Sequence, residues 1–261
     1  MQKLYYAQLC WVLMSHKNIP TAKKTLGWPL LASFVALSSV PVLQIASHSI
    51  LPLSARALKV NNMGTLDSGN IAFVVGIGYL LGSIPFGLIL TRLFGAGDLR
   101  TIGSGNIGAT NVLRTGRKGL AAATLLLDMA KGAAAVCIAR MIVPELALIG
   151  GLAAFLGHCY PVWLGFKGGK GVATMLGIAL AFNWIIGLIF AGVWLGAMGL
   201  TRISSVGGMA AAVAAPIAAF PLTGWHPAKM LALMAIVVLW KHRENINRLI
   251  AGTEPKVGAK A

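Results

Sequence analysis

Residues 71–93 read IAFVVGIGYLLGSIPFGLILTRL, an apolar run in which the only charge is Arg92, next to its end. The length falls within the roughly 17–25 residues that carry a helix across the hydrocarbon core of a bilayer. Lipid offers no partner to an unpaired backbone N–H or C=O, so a segment of this kind is expected to cross as a helix.

Working outward from it, further apolar segments occupy residues 120–143, 146–164, 172–181, 185–200, 206–220 and 230–240. The whole chain is 57% hydrophobic and 11% charged, with a mean hydropathy of +0.79, against about 25% charged in ordinary soluble domains. That excludes a soluble globule. The fold expected is an all-α polytopic transmembrane helical bundle with seven core spans. Several spans are short or interrupted by glycine, which suits helices that stop within the membrane region where protein or water satisfies the backbone.

If the spans alternate, the connections sort onto two sides. One receives Arg100, Arg114, Arg117, Lys118, Lys167, Lys170, Arg202, Lys241, Arg243, Arg248, Lys256 and Lys260, and the other only Arg140 and Lys229. The excess of Lys and Arg marks the first side as cytoplasmic, with the N-terminus of the core outside and the C-terminus inside. The net charge of +16 lies in short loops rather than along one soluble surface, so nucleic acid is not the expected partner. Cys10, Cys137 and Cys159 show no metal or redox spacing, and the last two, within or beside apolar segments, read as small apolar residues.

Residues 1–65 form an extension unlike the rest: Lys3, Lys17, Lys23 and Lys24 precede an apolar run, Trp28 to Leu53, broken by Pro29, Pro41 and Pro52. An additional span, an export signal ending near Ser54 to Ala57, and a start assigned upstream of a true start at Met63 are the three readings, and the last is preferred. Residues 66–254 make the helical core, and residues 255–261 a basic tail.

Two loops on the basic side carry the chemistry. The first, Asp98 to Arg114, contains Gly103-Ser104-Gly105-Asn106-Ile107-Gly108, a literal G-x-G-x-x-G. A dinucleotide fold needs a β-strand before it, and here a membrane helix stands there. What remains is the physics beneath the motif: glycines let backbone N–H groups converge on an oxyanion, Ser104, Asn106, Thr110 and Asn111 add side-chain donors, and Arg100 and Arg114 add charge. A polar turn carrying topology-setting arginines is the plainer reading. The second loop, Phe166-Lys167-Gly168-Gly169-Lys170-Gly171, opens a helix, and a helix start of this type favours anions. Gly171 stands where a P-loop has Ser or Thr, so phosphate binding without nucleotide hydrolysis is expected. Asp128 and Lys131 lie one turn apart within a span and read as a structural pair or a functional one. His158 reads as a hydrogen-bonded histidine at a helix end.

Taken together, Gly82-Ser83-Ile84-Pro85, Ser104 to Asn111, Phe166 to Gly171 and His242-Arg243-Glu244-Asn245-Ile246 strongly resemble the bacterial acyl-phosphate:glycerol-3-phosphate acyltransferases in order and spacing. The resemblance covers roughly Ile71 to Glu254. It implies a seven-helix enzyme of the bacterial inner membrane, active on the cytoplasmic face, which transfers a fatty acyl group from acyl phosphate to the sn-1 hydroxyl of glycerol 3-phosphate. The products would be lysophosphatidic acid and inorganic phosphate. The extension before Met63 departs from the family pattern. No cofactor or metal is expected. Expected partners are the two substrates, membrane lipid and the enzyme that makes the acyl phosphate.

By motif, Ser104, Asn106, Thr110 and Asn111, with Lys167 and the backbone of Gly168, Gly169, Lys170 and Gly171, would hold the acyl-phosphate head. Arg100, Lys170, Arg202, Ser204 and Ser205 are the candidates for the glycerol-phosphate end, where arginine suits bidentate contact. His242, Glu244 and Asn245 would orient the attacking hydroxyl or brace the arginines, and Ser104, Asn106, His242 and Asn245 are the residues assigned to catalysis. The acids number only six, so the leaving phosphate taking the proton competes with His242 as base. No histidine has Asp five positions later, which removes the His-x-x-x-x-Asp route. The rival class is a transporter of anions or phosphate esters, which would need polar groups on both sides.

Overall fold

The computed structural model describes residues 66–257, and among them helices, turns and loops occur but no strand. The readings placed on residues 1–65, and on residues 258–261 of the tail, lie outside the described residues.

Each apolar segment read from the sequence is helical. α1 (Ser68–Gly82) and α2 (Phe86–Leu93) form the first segment; α3 (Ala109–Leu113) is a single turn in the following loop. Then come α4 (Lys118–Ile142), a 3-10 turn (Pro144–Leu146), α5 (Ala147–Cys159), a second 3-10 turn (Val162–Leu164) and α6 (Val172–Phe182). α7 (Trp184–Thr201), α8 (Ser204–Thr223), α9 (Trp225–Lys241) and α10 (Arg243–Ile250) complete the chain. Local chemistry sets several boundaries. Asp67 caps α1 by accepting from Asn70 N at 2.8 Å. Pro85, which has no N–H, stands at the break between α1 and α2. Asn183 starts α7 by accepting from Ile185 N and Ile186 N.

Five helical segments are long and apolar enough to cross a membrane: Ser68–Leu93, Lys118–Ile142, Pro144–Leu164, Trp184–Thr201 and Ser204–Thr223. α6 and α9 are shorter. At 1.5 Å per residue, α6 reaches about 16 Å, roughly half of a hydrocarbon core. It survives because it is enclosed, with Thr174 to Ala179 all buried. The outer helices show the opposite pattern: only 17% of the apolar window of α7 is buried, and Leu200 and Met141 are 90% and 86% exposed. An apolar outer surface of this extent is what a lipid solvent selects.

Small residues bring the helices together. A Cβ added to Gly82 would stand 1.9 Å from the Ala154 carbonyl oxygen, and one on Gly177 2.0 Å from that of Met129. α1 thus lies directly on α5, and α6 on α4, a packing mode suited to lipid, where close contact rather than expulsion of water drives association. The main core fills the remaining space with Phe155, Met175, Ile178, Phe190, Leu231 and Met234.

Connections on one side are minimal: Asn183 alone joins α6 to α7, and Gly224 alone joins α8 to α9. The long loops therefore gather at the other end, where the polar motifs lie. Gly177→Ala should lower the protein's thermal stability in detergent, by about 1–3 kcal/mol for an overpacked contact. Gly192→Ala, whose Cβ has nothing within 4 Å, should leave stability unchanged or raised. Thermal unfolding of the two variants compares them.

Candidate active site

The first loop, residues 94–117, is closed from within. Asn111 is buried, and its amide nitrogen donates to the carbonyls of Leu99 and Ile102, each at 2.9 Å, while its oxygen accepts from Ser104 N at 3.3 Å. Asn106 accepts from Gly108 N at 3.3 Å and leads into α3. Asn111 is therefore a brace that holds the Ser104 backbone at the exposed rim, and Asn106 braces the entry to α3. The Arg114 side chain folds over Gly103 so closely that an added Cβ would stand 2.4 Å from its Nη1. Gly103, at φ +53, is also in the left-handed region that favours glycine. Arg100 turns away to Asp98, 2.7 Å off and exposed. Hydrogen bonds from Arg100 hold the Asp98 carboxyl down at about 2.

The second loop lies flat on the end of α5. Gly168 N donates to Cys159 O at 3.2 Å, and Gly169 N to His158 O at 3.0 Å. A Cβ on Gly169 would meet the His158 ring at 2.1 Å, and one on Gly171 the Phe155 ring at 2.2 Å. Glycine is required here because the loop approaches a helix, a different reason from the approach to phosphate inferred from the sequence. The amides of Gly168 and Gly169 are engaged with α5. Those of Lys170 and Gly171 have no backbone partner among the described residues, and the first turn of α6 adds its own unpaired donors. Lys167 is exposed at the rim.

A third group comes from the C-terminal side. The Glu254 carboxylate accepts from Ser205 Oγ at 2.7 Å, from Asn245 Nδ2 at 2.5 Å and from Arg248 Nε at 2.7 Å. Burial opposes its ionisation, but these hydrogen bonds outweigh burial and keep its carboxyl below the usual range. Val257 N donates to Arg202 O at 2.7 Å, so residues 251–257 fold back across the entry to α8. Lys170 Nζ donates to Asn245 Oδ1, and Thr110 Oγ1 and Ser204 Oγ share a hydrogen bond at 3.0 Å. Those contacts join all three groups.

His242 is buried at the end of α9 with Nδ1 2.8 Å from Val238 O. A carbonyl only accepts, so Nδ1 carries the proton and Nε2 is the acceptor. Burial foremost, with Lys170 adding to it, pushes His242 down to about 4, and the ring is neutral near pH 7. Lys170 is pushed down to about 8, first by burial and then by Arg248, with Glu254 and Glu244 opposing and Arg114 adding.

Of the residues singled out from the sequence, Thr110, Ser204, Ser205, Lys170 and Asn245 are brought together, with His242 beside them. Arg100 and Glu244 stand apart; Glu244 is exposed, 3.9 Å from Arg243. Arg114, read from the sequence as a source of charge for the first loop, lies over Gly103 in it, whereas Arg248 and Glu254 carry no site role in the sequence reading. The last left one signal: it is one of only six acids, set between Arg248 and Lys256.

The sequence model of the family described as glycerol-3-phosphate acyltransferase matches residues 72–252. The chain belongs to the glycerol-3-phosphate acyltransferase family. A glycerol-3-phosphate acyltransferase of Mesorhizobium japonicum is 62% identical over 183 residues, 70% of this chain and 94% of the relative. One of Zymomonas mobilis is 54% identical over 197 residues, 70% and 93%. Among solved structures, PlsY (YgiH), described as an integral membrane glycerol 3-phosphate acyltransferase, matches in its glycerol 3-phosphate form. The TM-score is 0.68 at 39% identity, covering 72% of this chain and 96% of that one. The lysophosphatidic acid form matches with a TM-score of 0.66 at 38% identity, covering 71% and 94%. This chain is accordingly a membrane-embedded acyltransferase.

For a family member with this site, the charge on Lys170 has a pH consequence. A lysine lowered to about 8 is cationic below that pH and neutral above it. Affinity for inorganic phosphate should therefore fall as pH rises from about 8. Lys170→Arg, which does not titrate in this range, should remove the decline. Calorimetric titration of both proteins with phosphate reads the difference.

Proposed function

We propose that the protein transfers a fatty acyl group from acyl phosphate to the sn-1 hydroxyl of glycerol 3-phosphate, releasing lysophosphatidic acid and inorganic phosphate. The observation that carries this reading is the convergence of three loop groups at one end of an apolar bundle, joined by Thr110 to Ser204, Lys170 to Asn245 and Ser205 to Glu254. Two phosphate-bearing reactants need such a cationic site. An acyl chain needs an adjacent apolar path, and a groove of about 620 Å³ runs from Val206, next to Ser205, along Met209 and Val213 to Ile217, with Leu239 opposite.

In this scheme the sn-1 oxygen attacks the acyl carbonyl carbon and the bond from that carbon to the phosphate oxygen breaks. Ser104 at the rim of the first loop, with Arg114 beside it, faces the acyl-phosphate head; the amides of Lys170 and Gly171 supply donors where negative charge grows. Arg202, Ser204, Ser205 and Lys170 serve the glycerol-phosphate end, and Asn245 holds Lys170 in place. A histidine lowered to about 4 is a weak base at neutral pH, which favours the departing phosphate as the acceptor of the hydroxyl proton. His242 then orients the hydroxyl through Nε2.

The seven-span topology belongs to the same proposal, with the core N-terminus outside and the loops on the cytoplasmic face of the inner membrane. The charge asymmetry between the two ends supports it. The enzyme that makes acyl phosphate would approach that face. A transporter is disfavoured by the other end, where single residues, Asn183 and Gly224, make two of the connections.

Purified protein in detergent should form lysophosphatidic acid from palmitoyl phosphate and labelled glycerol 3-phosphate, and none from an acyl-CoA. Ser104→Ala should lower kcat by about 100-fold or more with the protein still folded. Phosphate flux into vesicles without acyl transfer would select the transporter instead.

A further inference from the structure

Three buried polar residues have no role in the reaction just proposed. Lys131 Nζ lies 2.7 Å from Asp128 Oδ1, one turn away on α4, and His158 Nδ1 lies 3.6 Å from the same oxygen. All three are almost fully buried in segments that cross or enter lipid. Ionisable groups are retained there at a high free-energy cost, which a bundle that needed only packing would avoid with apolar side chains.

The contacts of these residues run toward the second loop. Lys131 donates to Ile84 O at 2.8 Å, at the break between α1 and α2, and lies 5.6 Å from the Phe86 ring. It thereby ties α4 to the one place where the first span leaves its helical hydrogen bonding. His158, on the other side of Asp128, is the floor of the loop. The atoms nearest to a Cβ built on Gly169 all belong to the His158 ring, and the His158 carbonyl accepts from Gly169 N. The segment leading into the loop is pinned to the last turn of α1 and to the break: Tyr79 Oη donates to Tyr160 O at 2.7 Å, and Trp163 Nε1 to Ser83 O at 2.9 Å.

We infer that Asp128, Lys131 and His158 are positioning residues. The ion pair faces Nδ1 of the His158 ring electrostatically, across 3.6 Å and without a hydrogen bond, and the ring sets the height at which Gly168 to Gly171 lie, so that the amides of Lys170 and Gly171 meet a phosphate oxyanion. The network acts on phosphate binding through the loop and touches no substrate. The inference rests on the acyl-transfer reading for its kinetic readout alone.

The test uses the full chain in detergent, with both substrates varied. Asp128→Asn should raise KM for one phosphate-bearing substrate by about tenfold to a hundredfold while kcat changes by less than about threefold, since misplacement by about 1 Å is penalised on that scale. Gly169→Ala should show the same KM defect, because its Cβ meets His158. Adding His158→Ala to Gly169→Ala removes the clash and should recover about tenfold of the loss, a pair-specific rescue that general destabilisation does not give. Inorganic phosphate titrated calorimetrically into the same variants should follow the same order of affinity. This arm stands even if the wild type makes no lysophosphatidic acid, a result that would sink the acyl-transfer reading but not this one. A double variant no better than Gly169→Ala, or an Asp128→Asn variant with unchanged KM and unchanged phosphate affinity, would overturn the inference.

Discussion

The 2.7 Å contact of Asp128 with Lys131 sits within a helix that crosses lipid, where an unpaired charge at the centre costs about 3 kcal/mol or more. Spacing of one turn lets each residue neutralise the other before any tertiary contact forms. What the pair then does is set by its remaining contacts. Lys131 reaches the Ile84 carbonyl where the first span breaks, a group that also accepts from Phe86 N at 3.1 Å. Asp128 faces His158, on whose ring the second loop rests. Break, pair and loop are thus linked: the buried cation adds a second hydrogen bond at the carbonyl of the break, and its carboxylate partner faces the histidine beneath the loop.

A second dependence concerns what polar residues are for. Asn111 is as polar as Ser104 and lies in the same motif, yet each of its polar side-chain atoms is engaged within the loop. Glycines divide in the same manner, Gly168 and Gly169 being turned back to α5 while Gly171 ends the loop at φ +85. A site that must hold its shape at a membrane surface, without a surrounding soluble domain, uses about as many polar groups for bracing as for recognition. Rigid placement of the remaining donors is what gives them value toward developing charge.

The sequence made the helices legible because lipid imposes one rule on every segment, and the apolar runs starting at Ile71, Leu120 and Ile185 appear as helices with ends shifted by a few residues. It also made the loops that meet legible, because glycine, asparagine and lysine cluster where a connector needs none of them. The run 172–181 already marked α6 as short, but nothing marked it as enclosed, since an apolar run has no period that separates a core helix from a lipid-facing one. Nor did the sequence distinguish brace from ligand at Asn111, or bring Glu254 to Ser205 across the fold, because those assignments depend on neighbours distant in sequence.

The acids explain why the site is cationic. With six Asp and Glu against 22 Lys and Arg, carboxylates are scarce, and four of them have a defined effect where they stand. Asp67 caps a helix, Asp98 holds Arg100 outside the site, Asp128 neutralises Lys131, and Glu254 orders Ser205, Asn245 and Arg248. Glu254 offsets part of the charge at the centre, where Lys170, Arg114 and Arg248 act on one another, and the remainder is available to substrate. A field of that sign attracts phosphate dianions and also disfavours a protonated histidine, since any proton placed on His242 would be repelled by Lys170. The arrangement that suits two anions in the proposed reaction therefore weakens His242 as a base. On the proposed reaction, the proton of the attacking hydroxyl has its most favourable destination on the phosphate that the site already holds.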